Sequence, residues 1–239
     1  MKLKVFVDRL SQPARAILIF CKMNGIEFEE VSLDITKREH MKPEFKAINP
    51  MGQVPAIVYG DFQLFESHAI LIFLAGLFGV PDHWYPADIY QRAKTQCVLD
   101  WHHSNLRSGA APYVYHSVLA PVFDAFSPVF GDTTNPQAAA QADKLLGASL
   151  SQIESLWLKG DGTFLHGAAQ PSIADLSLVC ELMQLQLVDE KDRERILGPH
   201  KKIMEWIENT KNATKPHFDE VSERLYQVKA MLQKQRTSG

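Results

Sequence analysis

Four short pieces in the first third of the chain carry the side chains best suited to chemistry: Ser11-Gln12-Pro13, His40-Met41-Lys42, Gln53-Val54-Pro55 and Glu66-Ser67. Each falls where a strand ends or a helix begins, and in open α/β sheets such ends gather ligand groups. Glu66-Ser67 opens an apolar helical run, where free amides and the helix dipole favour an anion. Ser11 stands just before Pro13 at another helix start. A serine nucleophile needs a base in reach, and no triad pattern surrounds Ser11. Its hydroxyl therefore reads as a hydrogen-bond donor, with an ordinary N-cap as the alternative.

Other chemistries lose support. There is no Walker loop, G-x-G-x-x-G, H-E-x-x-H or G-x-S-x-G pattern. His102 and His103 are adjacent, so on a helix they diverge by about 100° and do not share a metal; they are expected to be surface or interface residues. Cys21, Cys97 and Cys180 are odd in number and widely spaced, which suits a reducing compartment. With 25 basic against 28 acidic residues and a net charge of −3, no bulk attraction to nucleic acid or anionic lipid arises. The N-terminus is charged where a signal peptide is apolar, the last four residues match no retention or peroxisomal address, and the apolar stretch from Ser67 to Pro81 falls short of the ~20 residues of a membrane span. The expectation is a cytoplasmic protein with neither a nucleic acid nor a membrane as partner.

The elements that must position these groups come in two styles. Leu3, Val5 and Val7 alternate in a strand expected to be covered on both faces, and Pro13 opens a helix marked by Ala14, Ile17, Leu18 and Cys21 that ends at Gly25. Phe28 to Leu33 reads as a second strand, followed by a polar connection, Asp34 to Phe45, with about one helical turn. Residues 56–59 and 62–65 flank Gly60-Asp61 as a hairpin, and Ile70, Phe73, Leu74 and Leu77 mark a helix stopping at Gly79. From Pro86 the period is helical, with stripes at Ile89, Ala93, Cys97 and Trp101; at Ala142, Leu145, Leu146, Ser149, Ile153 and Trp157; and at Phe218, Val221, Leu225, Val228 and Leu232. Pro112, Pro121 and Pro128 are expected to break 109–130 into short pieces. Between Ile173 and Leu187 the only charges are Asp175 and Glu181, which predicts a central helix opened by a Ser172/Asp175 capping box of structural purpose. With 239 residues at roughly 150 per domain, one or two domains are expected.

The pieces Asp8-Arg9-Leu10-Ser11-Gln12-Pro13, Asn49-Pro50-Met51-Gly52-Gln53-Val54-Pro55-Ala56, Glu66-Ser67-His68-Ala69-Ile70 and Ser172-Ile173-Ala174-Asp175-Leu176 resemble the glutathione transferases. N-P-x-G-x-V-P-A followed by E-S-x-A-I is specific to that superfamily, and the serine-start motif with Asp100-Trp101-His102-His103 is similar to the theta class of plants. The resemblance spans nearly the whole chain. It implies an α/β thioredoxin-like N-terminal domain, βαβαββα, over 1–78, a linker over 79–87, an all-α helical domain over 88–239 carrying the co-substrate site, and a homodimer.

It also implies roles. Val54-Pro55 matches the family's cis-proline, which exposes the Val54 peptide for one-residue strand pairing with the cysteinyl backbone of glutathione. Ser67 donates to the γ-glutamyl carboxylate and Glu66 meets its ammonium. Gln53, His40 and Met41 face the glycyl end, although histidine is a weak anion partner at pH 7 and Lys42 or Lys46 are alternatives. Ser11, with Gln12 beside it, donates to the sulfur and favours the thiolate. Arg107 is directed at the active site, and the apolar co-substrate pocket takes Leu10 and the last helix near Met231. The implied activity is conjugation of glutathione, the co-substrate, to hydrophobic electrophiles, with reduction of organic hydroperoxides and without a metal. A non-enzymatic carrier of hydrophobic ligands or a protein-interaction module on the same fold are the rivals.

Overall fold

The computed structural model describes residues 1–120 and 134–238. A four-stranded mixed sheet opens the chain in the order β2-β1-β3-β4, with β1 at Leu3–Val7, β2 at Phe28–Ser32, β3 at Ala56–Tyr59 and β4 at Phe62–Phe65. β1 runs parallel to β2, with Val5 opposite Glu30, and antiparallel to β3, with Val5 opposite Ile57. β3 and β4 form the hairpin about Gly60, whose φ of 62° only a glycine adopts without strain.

Leu3, Val5 and Val7 are buried, but Lys4 is exposed and Phe6 half-buried. The strand is thus covered fully on one face only. The other face meets little more than Phe45, whose ring lies 6.0 Å from Phe6, because the connecting segment supplies only short turns there. That segment holds two 3-10 turns, Ile35–Lys37 and Glu39–Met41, and the four-residue helix α2, Pro43–Lys46, more helix than the sequence suggests.

Helix α1, Gln12–Met23, is buried from Ala14 to Cys21. It is covered all round because the sheet lies on one side and the central helix of the C-terminal half on the other. α3, Ser67–Leu77, follows β4 directly. The chain then becomes helical: α4 at Ile89–Ser104, α5 at Leu106–Val114, α6 at Pro136–Gln152, α7 at Ile173–Leu182, α8 at Glu190–Leu197, α9 at Lys201–Ala213 and α10 at His217–Ser238.

Every residue of α7 is buried. Its Ser172/Asp175 capping box forms, and Asp175 additionally accepts from the Leu165 amide at 2.9 Å and the Trp206 indole at 2.8 Å. One carboxylate thus ties a helix start to a loop and to α9. The stripes on α6 and α10 face the core.

Three further expectations change. α5 continues through Pro112 into a π-helical turn at Tyr115–Leu119, because Gly109 lets α5 approach the Leu146 backbone of α6 closely enough for packing to outweigh the lost hydrogen bond. Pro121 and Pro128 lie outside the described residues. On α4 the buried face is Thr95, Val98, Leu99 and His102, whereas Ile89, Ala93 and Cys97 are exposed. His102 is accordingly an interior residue, while His103 is exposed. Among the described residues, no helix is long and apolar enough to cross a membrane.

Candidate active site

The site begins with the turn between β1 and α1. Asp8 is buried, its Oδ1 accepting from the Leu10 amide at 2.7 Å and its Oδ2 from the Ile35 amide at 2.9 Å. Burial pushes its carboxyl up, against the pull of these two amides. From the other side, Arg15 donates to the carbonyls of Arg9, Leu10 and Cys180 and to Gln184 Oε1, at 2.8 to 3.2 Å. A buried guanidinium with four neutral acceptors thus holds the turn against α7. Residues 8–10 are therefore set before any ligand arrives.

Ser11 occupies the N-cap of α1, yet its side chain makes no capping hydrogen bond. Pro13 stands at the second helical position and has no amide for a cap to accept. Ser11 lines a cavity of about 140 Å³ together with Leu10, Gln12, His40, Gln53, Val54 and Arg107. Its remaining wall is mostly apolar: Ile35, Ala111, Val114, Tyr115 and Leu119.

A second, larger cavity of about 400 Å³ adjoins it through shared residues Gln53, Val54, Arg107 and Ala111. It is lined further by Pro55, Glu66, Ser67, Asn49, His102, His103 and Ser108. Val54-Pro55 is cis. The loop before it is shaped by buried Asn49, which donates to the Gln53 carbonyl at 2.7 Å and accepts from the Met51 amide at 3.0 Å. Glu66 has φ 71°, sparsely populated for a residue with a Cβ, and turns β4 into α3 in a single step. Ser67 follows at the first position of that helix, where the backbone amides have no partner within it.

The structure brings Ser11, Gln12, Gln53, Val54, Pro55, Glu66, Ser67, His40, Leu10 and Arg107 to these two cavities. Met41 is in neither lining, its sulfur lying near Gly52, and Met231 lies on α10 outside both linings. Burial pushes the His40 imidazole down, so at neutral pH it offers a hydrogen bond and not a charge. Its Nδ1 is buried without a hydrogen-bond partner among the described residues. Lys42 is spread toward Glu39 at 3.7 Å, and the end of the Lys46 chain lies beside Gly52.

Sequence reasoning missed Asp8, Arg15, Asn49 and the polar cluster behind the cavities. There His102 Nδ1 lies 3.1 Å from His68 Nε2, and His102 Nε2 lies 3.5 Å from Glu181. Burial, then the neighbouring His102, His103 and Arg107, push His68 down to about 2, so it is neutral. The available signal was the isolation of Arg15 and Glu181 as charges in apolar runs, since a buried charge demands partners. Of the thiols, Cys21 and Cys180 are buried and pushed up to about 12, and so are inert at neutral pH, while Cys97 is exposed.

The family model described as "Glutathione S-transferase, N-terminal domain" matches residues 1–76, and that of the C-terminal domain matches 136–209. Glutathione S-transferase T1 of Arabidopsis thaliana is 60% identical over all of this chain and 95% of its own length. Glutathione S-transferase T2 of the same plant is 59% identical over 99% of this chain but is longer, the match covering 39% of it. Among solved structures, human glutathione transferase theta-2, in complex with glutathione and an unknown ligand, superposes with a TM-score of 0.84 at 31% identity, covering 98% of this chain and 91% of that one. Sequence and fold agree, and the chain belongs to the theta class of the glutathione S-transferases.

Proposed function

We propose that this enzyme ionises the thiol of glutathione at Ser11 and adds the thiolate to uncharged or weakly polar hydrophobic electrophiles. The observation that carries the reading is Ser11, whose hydroxyl is left out of its own helix cap and which lines a cavity with a mostly apolar wall. A hydroxyl that donates to sulfur favours the charged form, and the N-terminus of α1 adds to the effect.

The tripeptide runs between the cavities. Its γ-glutamyl end sits at Glu66 and Ser67, where the α3 amides and the Ser67 hydroxyl meet the carboxylate and Glu66 meets the ammonium. Val54 pairs with the cysteinyl backbone, and the glycyl end lies toward Gln53 and His40. The thiol proton leaves for solvent, the thiolate attacks the electrophilic carbon, and the leaving group departs with the bonding pair. With an organic hydroperoxide, the thiolate attacks the O–O bond, giving an alcohol and the sulfenic acid of glutathione. A second glutathione then forms the disulfide and water.

The domains are those of the resemblance: residues 1–78 bind glutathione and 88–239 carry the co-substrate wall, joined by 79–87. The cytoplasm, rich in reduced glutathione, is the compartment that suits this reaction. A homodimer suits the exposed Phe62 on β4, Phe78 at the end of α3, and Ile89 and Tyr90 in the first turn of α4. A carrier or an interaction module needs none of Ser11, Glu66 and Ser67 in position, and here all three line the cavities.

Ser11→Ala is the test. An unperturbed thiol with a pKa near 8.5 is about 3% ionised at pH 7, and one hydrogen bond to a charged group, roughly 1.5–3 kcal/mol, lowers the pKa by one to two units. The variant's neutral-pH rate is expected to fall about ten-fold or more and to recover toward pH 9 while glutathione affinity is retained. An unchanged rate and pH profile would assign the activation to another group.

A further inference from the structure

Glu181 is a fully buried carboxylate shared by three other helices. Its Oε1 accepts from Gln12 of α1 at 3.3 Å and its Oε2 from Arg107 of α5 at 2.9 Å, with His102 of α4 at 3.5 Å. Burial alone would raise Glu181, but Arg107 and His102 hold it below the usual carboxylate range, so it is charged at neutral pH. Arg107 is the cation that lines both cavities. Among the described residues, Glu181 is the carboxylate within ion-pair distance of it. The nearby Arg15 makes its four hydrogen bonds to neutral acceptors and lines neither cavity.

We propose that Glu181 determines the charge preference of the co-substrate cavity, balancing Arg107 from behind so that the cavity takes uncharged electrophiles over anionic ones. The proposal rests on the transferase reading above and adds a specificity residue to it. An isolated guanidinium at an apolar wall attracts an anion strongly, because little water screens it. Paired with a carboxylate, it presents a short dipole whose field falls off faster with distance. An anionic electrophile then loses its hydration on entry without a compensating charge. Leu10, Val114 and Leu119 offer an uncharged one ordinary apolar contact.

The test is a four-protein cycle of wild type, Glu181→Gln, Arg107→Ala and the double variant. Each is assayed with glutathione and two chloronitroaromatics, one neutral and one carrying a ring carboxylate. Glu181→Gln is expected to raise the anionic-to-neutral ratio of kcat/KM by about five- to ten-fold, the size of a partly exposed charge interaction. Arg107→Ala, which strands the carboxylate, lowers the ratio, and the double variant returns it to within about two-fold of wild type on the same scale. An unmoved ratio in Glu181→Gln, or a gain that survives the loss of Arg107, overturns the proposal. Should Glu181→Gln fail to fold, Glu181→Asp, which draws the carboxylate back from Arg107, is read in its place: a rise in the ratio supports the proposal and an unmoved or lowered ratio overturns it. The same proteins are titrated with the anionic dye anilinonaphthalene sulfonate and its uncharged parent phenylnaphthylamine, which need no turnover. Dye affinities in the expected order with no conjugation would remove the transferase reading only; dye affinities out of that order remove the proposal.

Discussion

The guanidinium of Arg15 donates to the carbonyl of Leu10 at 2.8 Å, wholly inside the protein. The residue before Ser11 is thereby held from the helix that Ser11 itself starts, and the same side chain reaches Cys180 and Gln184 in the C-terminal half. One cation thus contributes both to the placement of Ser11 and to the docking of the two halves.

Arg15→Met keeps the volume but leaves these acceptors unpaired in the interior. The loss is expected at about 2–5 kcal/mol, the range for breaking a buried polar network. Urea denaturation followed by tryptophan fluorescence reads it, and a midpoint within error of wild type would mean the clamp contributes nothing.

In the proposed binding mode, Ser67→Ala removes a donor to the γ-glutamyl carboxylate at the start of α3. Calorimetry is expected to show glutathione binding weakened by about 1–3 kcal/mol, as for a lost hydrogen bond to a charged group. An unchanged dissociation constant would move the γ-glutamyl end elsewhere.

Two glycines separate packing from propensity. A Cβ on Gly109 would stand 2.6 Å from the Leu146 amide nitrogen, whereas one on Gly147 meets nothing within 4 Å. Gly109→Ala is expected to destabilise by about 1–3 kcal/mol through overpacking, and Gly147→Ala, at an exposed helical site, to stabilise by up to about 1 kcal/mol. Equal effects in thermal melts would show that α5 and α6 are not in close backbone contact.

His68 is neutral in the folded protein down to about pH 2, but its unfolded value is the ordinary 6.5. Between those limits the unfolded chain binds the extra proton, so stability falls as pH drops below 6.5, at up to about 1.4 kcal/mol per pH unit. His68→Gln has no such proton to bind. The stability difference between wild type and variant should therefore shift in favour of the variant from pH 7 to pH 5; parallel curves in urea melts would show that His68 titrates normally.

The homodimer is expected in sedimentation equilibrium at twice the chain mass of 27.0 kDa. A monomer at micromolar concentration would leave the exposed Ile89 and Tyr90 without a partner in solution.

Much of the site was legible before the fold. Ser11, Gln53, Val54, Pro55, Glu66 and Ser67 stand at element ends that the sequence marks, and each lines a cavity. Element ends announce themselves within three or four residues, through a proline, a cap or a break in period. Met231 illustrates the converse: the helix carrying it is plain from its period, but which face of that helix reaches the site depends on how it packs.

By itself the sequence determined the strands, the hairpin about Gly60, the central apolar helix and the Ser172/Asp175 cap, because periodicity, turn conformation and capping act over a few bonds. Only the tertiary structure decided that His102 is interior, that α5 passes through Pro112, and that Arg15 and Glu181 are buried. Gln12 meets Glu181 across 169 residues and Arg107 meets it across 74. No local preference encodes such a pairing: a charge acquires its partner only when packing removes the water that would otherwise have served it.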